Sequence, residues 1–245
     1  MLSGKIIRLI AAAAAAFLLV GAIAVSGASK QNDQATQAMP QPAALHRILA
    51  HMDQAAGQVK SISAHLAYTT VTVLVNDRST QAGELFFRKG KHLEMAIRFV
   101  TPDPKAIVFR RNKAEIYNPK TNQIQEYDLE KHANLVQEFL LLGFGSPVSE
   151  LEQSYRFKYL GEQRLGGENT QALELTPLQQ SISSHLTRVD LWVSEASWLP
   201  VQQEFFEPSG DYLIAAYSDV KLNPHLSRSD FDIHTSPGVQ RMKMN

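Results

Sequence analysis

The 245-residue chain contains no cysteine. An exported domain built from it has no disulfides, so its core must hold it together. A bacterial lipoprotein takes its lipid on a cysteine at its cleavage site, so lipidation is excluded too. The chain also lacks an excess of charge, with 24 basic and 24 acidic residues. Without Lys5 and Arg8 the balance is 22 to 24. That argues against a nucleic-acid surface, which needs a basic excess, and against docking on anionic lipid by charge alone.

Catalytic and metal-binding patterns are missing as well. The eight histidines (His46, His51, His65, His92, His132, His185, His225 and His234) include no pair at HxxxH or HExxH spacing. Asp230 and Asp232 flank Phe231 without the rest of a calcium loop. Gly143-Phe144-Gly145-Ser146 has the wrong order for a nucleophile elbow, and Gly166-Gly167 reads as a hairpin turn. No P-loop and no GxGxxG occur. Carboxylates mostly take the solvent side of their strands, and Glu174 between Leu173 and Leu175 is an example. The expectation is a protein that is not an enzyme and uses no cofactor and no metal.

What is present begins with a targeting pattern. Lys5 and Arg8 precede an uncharged apolar run, Leu9 to Val25, and Ser26-Gly27-Ala28 offers a peptidase site. Residues 1–28 therefore read as a signal peptide for export to the periplasm. The run also approaches the roughly 18 apolar residues that spanning takes, so a retained anchor stays open. Residues 29–42, rich in Gln, Ala, Ser and Pro, read as a flexible leader. Residues 43–245 are expected to form a single domain.

That domain starts with a helix over 43–59, whose apolar stripe is Leu45, Ile48, Leu49, Met52, Ala56 and Val59. A β-branched strand covers 64–75. Five short strands separated by tight turns follow over 83–128, an antiparallel meander rather than βαβ units. Helical spacing appears at Leu135, Val136, Phe139 and Leu140. A second short helix is expected over 147–153, capped by Ser146. Strands resume over 155–162, 171–176, 186–193, 200–207 and 212–220, with a last short one over 229–233. The fold class is mainly β with helices (α+β): a curved antiparallel sheet of about eleven strands. An open sheet of that size tends to curl, and the two helical pieces are what is available to cover its concave face.

One parity of the meander reads Leu85, Phe87, Lys89, then Leu93, Met95, Ile97 and Phe99. The other reads Glu84, Phe86, Arg88, then His92, Glu94, Ala96 and Arg98. The first is apolar apart from Lys89 and must face inward. Periodicity alone leaves open whether that face is an ordinary filled core or one wall of a cavity.

The order of short motifs narrows this. Gly83-Glu84-Leu85-Phe86 is followed by Arg88-Lys89, then a strand ending at Thr101-Pro102-Asp103, then Lys113 to Pro119, a Gln-rich strand and the helical insertion. The chain closes with Asp230-Phe231-Asp232-Ile233 and Pro237-Gly238-Val239. This order, over about residues 43–241, resembles the periplasmic outer-membrane lipoprotein carrier family of LolA type. The resemblance implies an incomplete β-barrel lidded by helices, around an apolar cavity for lipoprotein acyl chains. Its implied partners are acylated lipoproteins as cargo, an inner-membrane ATP-driven release complex and an outer-membrane receptor, with the carrier a monomer. Leu85, Phe87, Leu93, Met95, Ile97 and Phe99 would line the cavity, and Leu135, Val136, Phe139 and Leu140 would lie in the lid. The family commonly latches that lid with an arginine on a cavity strand; here the position is Lys89, a point charge rather than a fixed fork of donors. An acyl chain of about 16 carbons gains on the order of 12 kcal/mol on burial, so release requires the empty state to recover part of it. A carrier of free lipid or glycolipid, and a lipid- or protein-sensing module of the envelope, are the alternatives.

Overall fold

A computed structural model describes residues 41–90, 92–130, 142 and 144–244. Helix α1 runs Gln41–Gln58, with Pro42 in its first turn, where a missing N–H costs nothing. Ile48, Leu49, Met52, Ala56 and Val59 are buried, as the stripe requires. The end of α1 is tied to a residue 165 positions away. Asn223, in the left-handed region at φ 55°, donates from Nδ2 to the Gln58 carbonyl (2.9 Å). Its Oδ1 accepts from the Lys60 and Ser61 amides (2.7 and 3.2 Å). One side chain thus satisfies a terminal carbonyl of α1 and sets the angle at which the chain enters the sheet.

The strands are β1 (Ser61–Thr72), β2 (Asp77–Arg88), β3 (Glu94–Thr101), β4 (Lys105–Arg110), β5 (Lys113–Asn118), β6 (Gln123–Asp128), β7 (Tyr155–Leu165), β8 (Glu168–Pro177), β9 (Arg188–Ser194), β10 (Pro200–Phe206), β11 (Tyr212–Leu222) and β12 (Gln240–Met244). They form one open, curved sheet in the order β12-β6-β5-β4-β3-β2-β1-β11-β10-β9-β8-β7. Register shifts at Ser63/His65, Ala82/Gly83, Tyr159/Gly161 and Pro200/Gln202 mark where strands bend. Gly83 faces Phe99 at such a point: a Cβ there would lie 2.2 Å from the Arg98 carbonyl oxygen, so only glycine permits the approach.

The meander of five strands is present as β2 to β6. Two details differ from expectation. The sheet has twelve strands and is not wholly antiparallel, because β12 adds to the edge strand β6 in parallel. Arg241 on β12 bridges Glu115 and Glu126 (2.7 and 2.5 Å), which places two carboxylates of neighbouring strands around one guanidinium. Ser229–Phe231 is a 3-10 turn and not a strand.

Short helices α2 (Val148–Ser154) and α3 (Gln180–Ser183) complete the described elements. Ser146 does not cap α2. Its cap is Pro147, and the Val148 amide instead donates to Asp53 Oδ1 on α1 (2.9 Å). The two helices are joined by the bond that the local sequence lacks.

The concave face has two halves. On β8 and β9, Leu173, Leu175, Val189, Leu191 and Val193 are fully buried against Ile48, Leu49 and Met52 of α1, Val148 and Leu151 of α2, and Ile182 of α3. That half is a filled core. The other half, on β1 to β5 and β11, gathers Ile62, Leu66, Tyr68, Leu85, Phe87, Met95, Phe99, Ile107, Phe109, Ala114, Leu213 and Ala215. Among the described residues outside the sheet, it is met by Ala55, Val59, Leu129, Phe144 and Leu199.

Strand parity predicts a solvated convex face, and this is corrected at Ala96. The segment after β11 crosses it as a strap. Phe231 is fully buried against Ala96 and Val108, with Phe86, Leu226 and Ile233 around it. Three arginines hold the strap. Arg88 lies 4.5 Å over the Phe231 ring and donates to the Leu226 carbonyl; Arg98 donates to the carbonyls of Ser229 and Asp230; Arg110 pairs with Asp232 at 3.0 Å. Outward parity with apolar and cationic residues marks a covered face, and strand periodicity alone does not reveal the cover.

Candidate functional site

Leu85, Phe87, Met95 and Phe99 are buried, and Leu93 and Ile97 are half-buried against them. Cross-strand pairing explains why. Phe87, Met95, Phe109 and Ala114 form one row across β2 to β5, and Leu85, Ile97, Ile107 and Ile116 form the next. All six residues expected to line an apolar wall therefore share one cluster. Leu135, Val136, Phe139 and Leu140, expected in a lid, lie outside the described residues.

Polar groups interrupt this wall where Leu142, Phe144, Gly145 and Ser146 come back to it. Lys89 Nζ donates to the Gly145 carbonyl at 2.8 Å, while its amide bonds the Lys60 carbonyl at 2.7 Å. On β10, the buried Gln203 donates from Nε2 to the carbonyl of buried Leu142 at 2.6 Å. Tyr217 on β11 donates its hydroxyl to Gln203 Oε1 at 2.7 Å, and its ring meets Phe144 edge-on at 4.8 Å. Burial raises the Tyr217 phenol well above its ordinary value, and the same cause raises Tyr68, with Tyr217 and Glu207 adding to it. Both phenols stay neutral, and Tyr217 is a donor. Lys89, expected to latch a lid at Leu135 to Leu140, bonds Gly145 instead among the described residues; Gln203 and Tyr217 are not singled out by the sequence. A Gln-Gln pair in a strand names one inward residue, but nothing local says that it meets a backbone carbonyl 61 positions away.

An open cleft of about 310 Å³ lies between α1 and the β9–β10 turn. His51, Gln54, Ala55, Gln58, Trp198, Leu199 and Leu222 shape it. Trp198, in the left-handed region at φ 55°, stacks on His51 with centroids 4.3 Å apart. Ala55 and Leu199 belong to the same apolar cluster as the wall. Its volume is at the small end for a ligand pocket. Sequence reasoning missed this mouth, because its two rings come from elements about 150 residues apart.

Lys105 is paired across β3–β4 with Phe99 and lies 5.1 Å from its ring. Burial lowers its ammonium to about 8, and Asp103 opposes that only in part. Among the described residues no group of three or more His, Asp or Glu is placed to hold a metal. No helix among them is long and apolar enough to cross a membrane.

An open, curved, mostly antiparallel sheet with helices on its concave side defines the class by fold. A family model described only as that of an uncharacterized protein matches residues 110–225. No curated protein matches the chain. Among solved structures, an uncharacterized conserved protein from Thermus thermophilus is 12% identical with a TM-score of 0.52, over 82% of this chain and 99% of that one. MucB is 14% identical with a TM-score of 0.49, over 78% of this chain and 63% of MucB. A LolA superfamily protein from Nitrosomonas europaea is 17% identical with a TM-score of 0.40, over 77% and 97%. At these identities the likeness is one of fold alone.

Proposed function

We propose that the protein is a periplasmic carrier that holds acyl chains against the apolar half of its concave face, lipoproteins being the first cargo. The observation that carries this is the polar tethering of residues 142–146 over an otherwise apolar wall, through Lys89 to Gly145 and Gln203 to Leu142. In a permanent core, buried polar bonds contribute little beyond what apolar packing supplies. In a cover that leaves and returns they fix where it lands, and they lower the energy of the empty state. Lys89 is then the latch, and the cleft beside Trp198 is where a chain first meets the wall. On this reading the role is binding and transfer without catalysis. Hand-over would run from an inner-membrane ATP-driven complex to an outer-membrane receptor.

Native mass spectrometry of protein purified from the envelope tests this. An adduct of acylated peptide is the expected result. A free-lipid or glycolipid adduct would reassign the cargo on the same wall. A protein with no adduct that also releases no lipoprotein from spheroplasts would end the carrier reading.

A further inference from the structure

The β1–β2 hairpin ends in a 3-10 turn, Val73–Val75, whose side chains are exposed: Val73 by 53%, Leu74 by 93% and Val75 by 68%. Three adjacent aliphatic residues in water are unfavourable, yet this turn is held in place. The Val73 amide donates to Asp211 Oδ1 at 2.9 Å. Asn76, at φ 50°, closes the turn with its amide on the Val73 carbonyl at 3.2 Å. The tip also projects. β2 meets β3 only from Ala82 onward, so Asp77–Gln81 extends beyond that neighbour. Beside its base, Tyr212 pairs with Val71 and stacks on Phe206 at 5.2 Å, both rings half-buried.

We infer that this tip docks the protein on a lipid bilayer by inserting Val73, Leu74 and Val75 into the interface, with Tyr212 and Phe206 at headgroup level. Area decides against a protein partner. Three aliphatic side chains offer roughly 300 Å², well under the ~800 Å² per partner that a stable protein interface buries. A convex aliphatic point without tryptophan or arginine at its apex is also unlike a protein hot spot. A bilayer demands no matching shape, and aromatic rings favour its interface. The charges by the tip are Asp77, Arg78 and Asp211, and Arg188 lies 3.9 Å over the Phe206 ring, so two bases meet two acids with no basic excess. Docking is therefore apolar in origin and needs no anionic lipid. The tip is at the opposite end of β2 from Lys89, roughly 36 Å away along the strand. The carrier reading and this one thus fail separately: tip variants keep their cargo.

The absence of cysteine makes the test direct. Leu74→Cys, labelled with an environment-sensitive nitrobenzoxadiazole, is mixed with phosphatidylethanolamine–phosphatidylcholine vesicles; Leu178→Cys, on another exposed position, is the control. The expected result is a blue shift with at least about a twofold rise in emission at position 74 and none at 178. Val75→Glu in the Leu74→Cys protein weakens vesicle binding about tenfold or more, and Val75→Ser, which adds no charge, weakens it less. Four results would each overturn the inference. They are no shift at position 74, equal shifts at both positions, a signal that requires anionic lipid and vanishes with salt, and a signal that follows protein concentration without vesicles, which would assign the tip to a second copy of the chain.

Discussion

Replacing Gln203 by leucine removes two bonds at once and leaves two buried partners behind. The Leu142 carbonyl loses its donor and the Tyr217 hydroxyl loses its acceptor. Each orphaned group costs about 1–3 kcal/mol. A buried leucine side chain returns about 2 kcal/mol of the combined cost of about 2–6 kcal/mol, so the net loss is about 0–4 kcal/mol. Tyr217→Phe leaves only Gln203 Oε1 unpaired and should cost about 1 kcal/mol. In the double variant the hydroxyl is no longer there to be orphaned, so its cost should fall short of the sum by about 1–2 kcal/mol. Urea unfolding of the four proteins measures this cycle. Hydrogen exchange adds a spatial check: amides of Gly145 to Val148 should exchange faster in Gln203→Leu than in Tyr217→Phe, because only the first frees the segment. Additivity within about 0.3–0.5 kcal/mol would refute the Tyr217–Gln203 coupling, and unchanged exchange at Gly145 and Val148 in Gln203→Leu would refute the tethering on which the functional reading stands.

Lys89→Leu removes the bond to Gly145 and should speed exchange of bound acyl chains; unchanged transfer between membrane fractions would take Lys89 out of the mechanism. Gly83→Ala drives a methyl into the Arg98 carbonyl and should lower stability by about 1–3 kcal/mol, read from the urea midpoint. Lys105 gives a pH signature. Its ammonium is lowered to about 8 against 10.5, so between those values the unfolded chain binds more protons and stability rises with pH. The burden is complete below pH 8. Lys105→Met should therefore be more stable at pH 7, by about 1–2 kcal/mol given the partial exposure of the site, and should lose the rise between pH 8 and 10; melts of both proteins across that range check it.

Much of the sheet was legible because strand periodicity is a local property. Leu85, Phe87, Met95 and Phe99 must share a face whatever the strand pairs with, and pairing then merges them with Ile107, Phe109 and Ala114. The stripe of α1 was legible for the same reason. Lys89 stood out as the one polar residue on an apolar parity, and it does reach residues 142–146. Local pattern did not reveal what covers each face. Ala96 has a solvent-facing parity, yet Phe231 closes over it. Pro147 gives α2 no side-chain cap, and Asp53 supplies the bond from another helix.

By itself, then, the sequence determined a mainly β fold with an apolar inner parity, since these follow from residue types at fixed spacing. Only the tertiary structure decided which half of the sheet packs against α1, α2 and α3, and that Leu142 and Gly145 are bonded to Gln203 and Lys89 on the other half. It also decided that β12 lies parallel on β6, and that the cleft opens between His51 and Trp198. The physical reason is that each depends on contacts between residues far apart in the chain, 61 positions for Gln203 and Leu142 and 165 for Asn223 and Gln58. Such contacts are selected by the shape and unsatisfied groups of the assembled sheet, and no window of neighbouring residues encodes them.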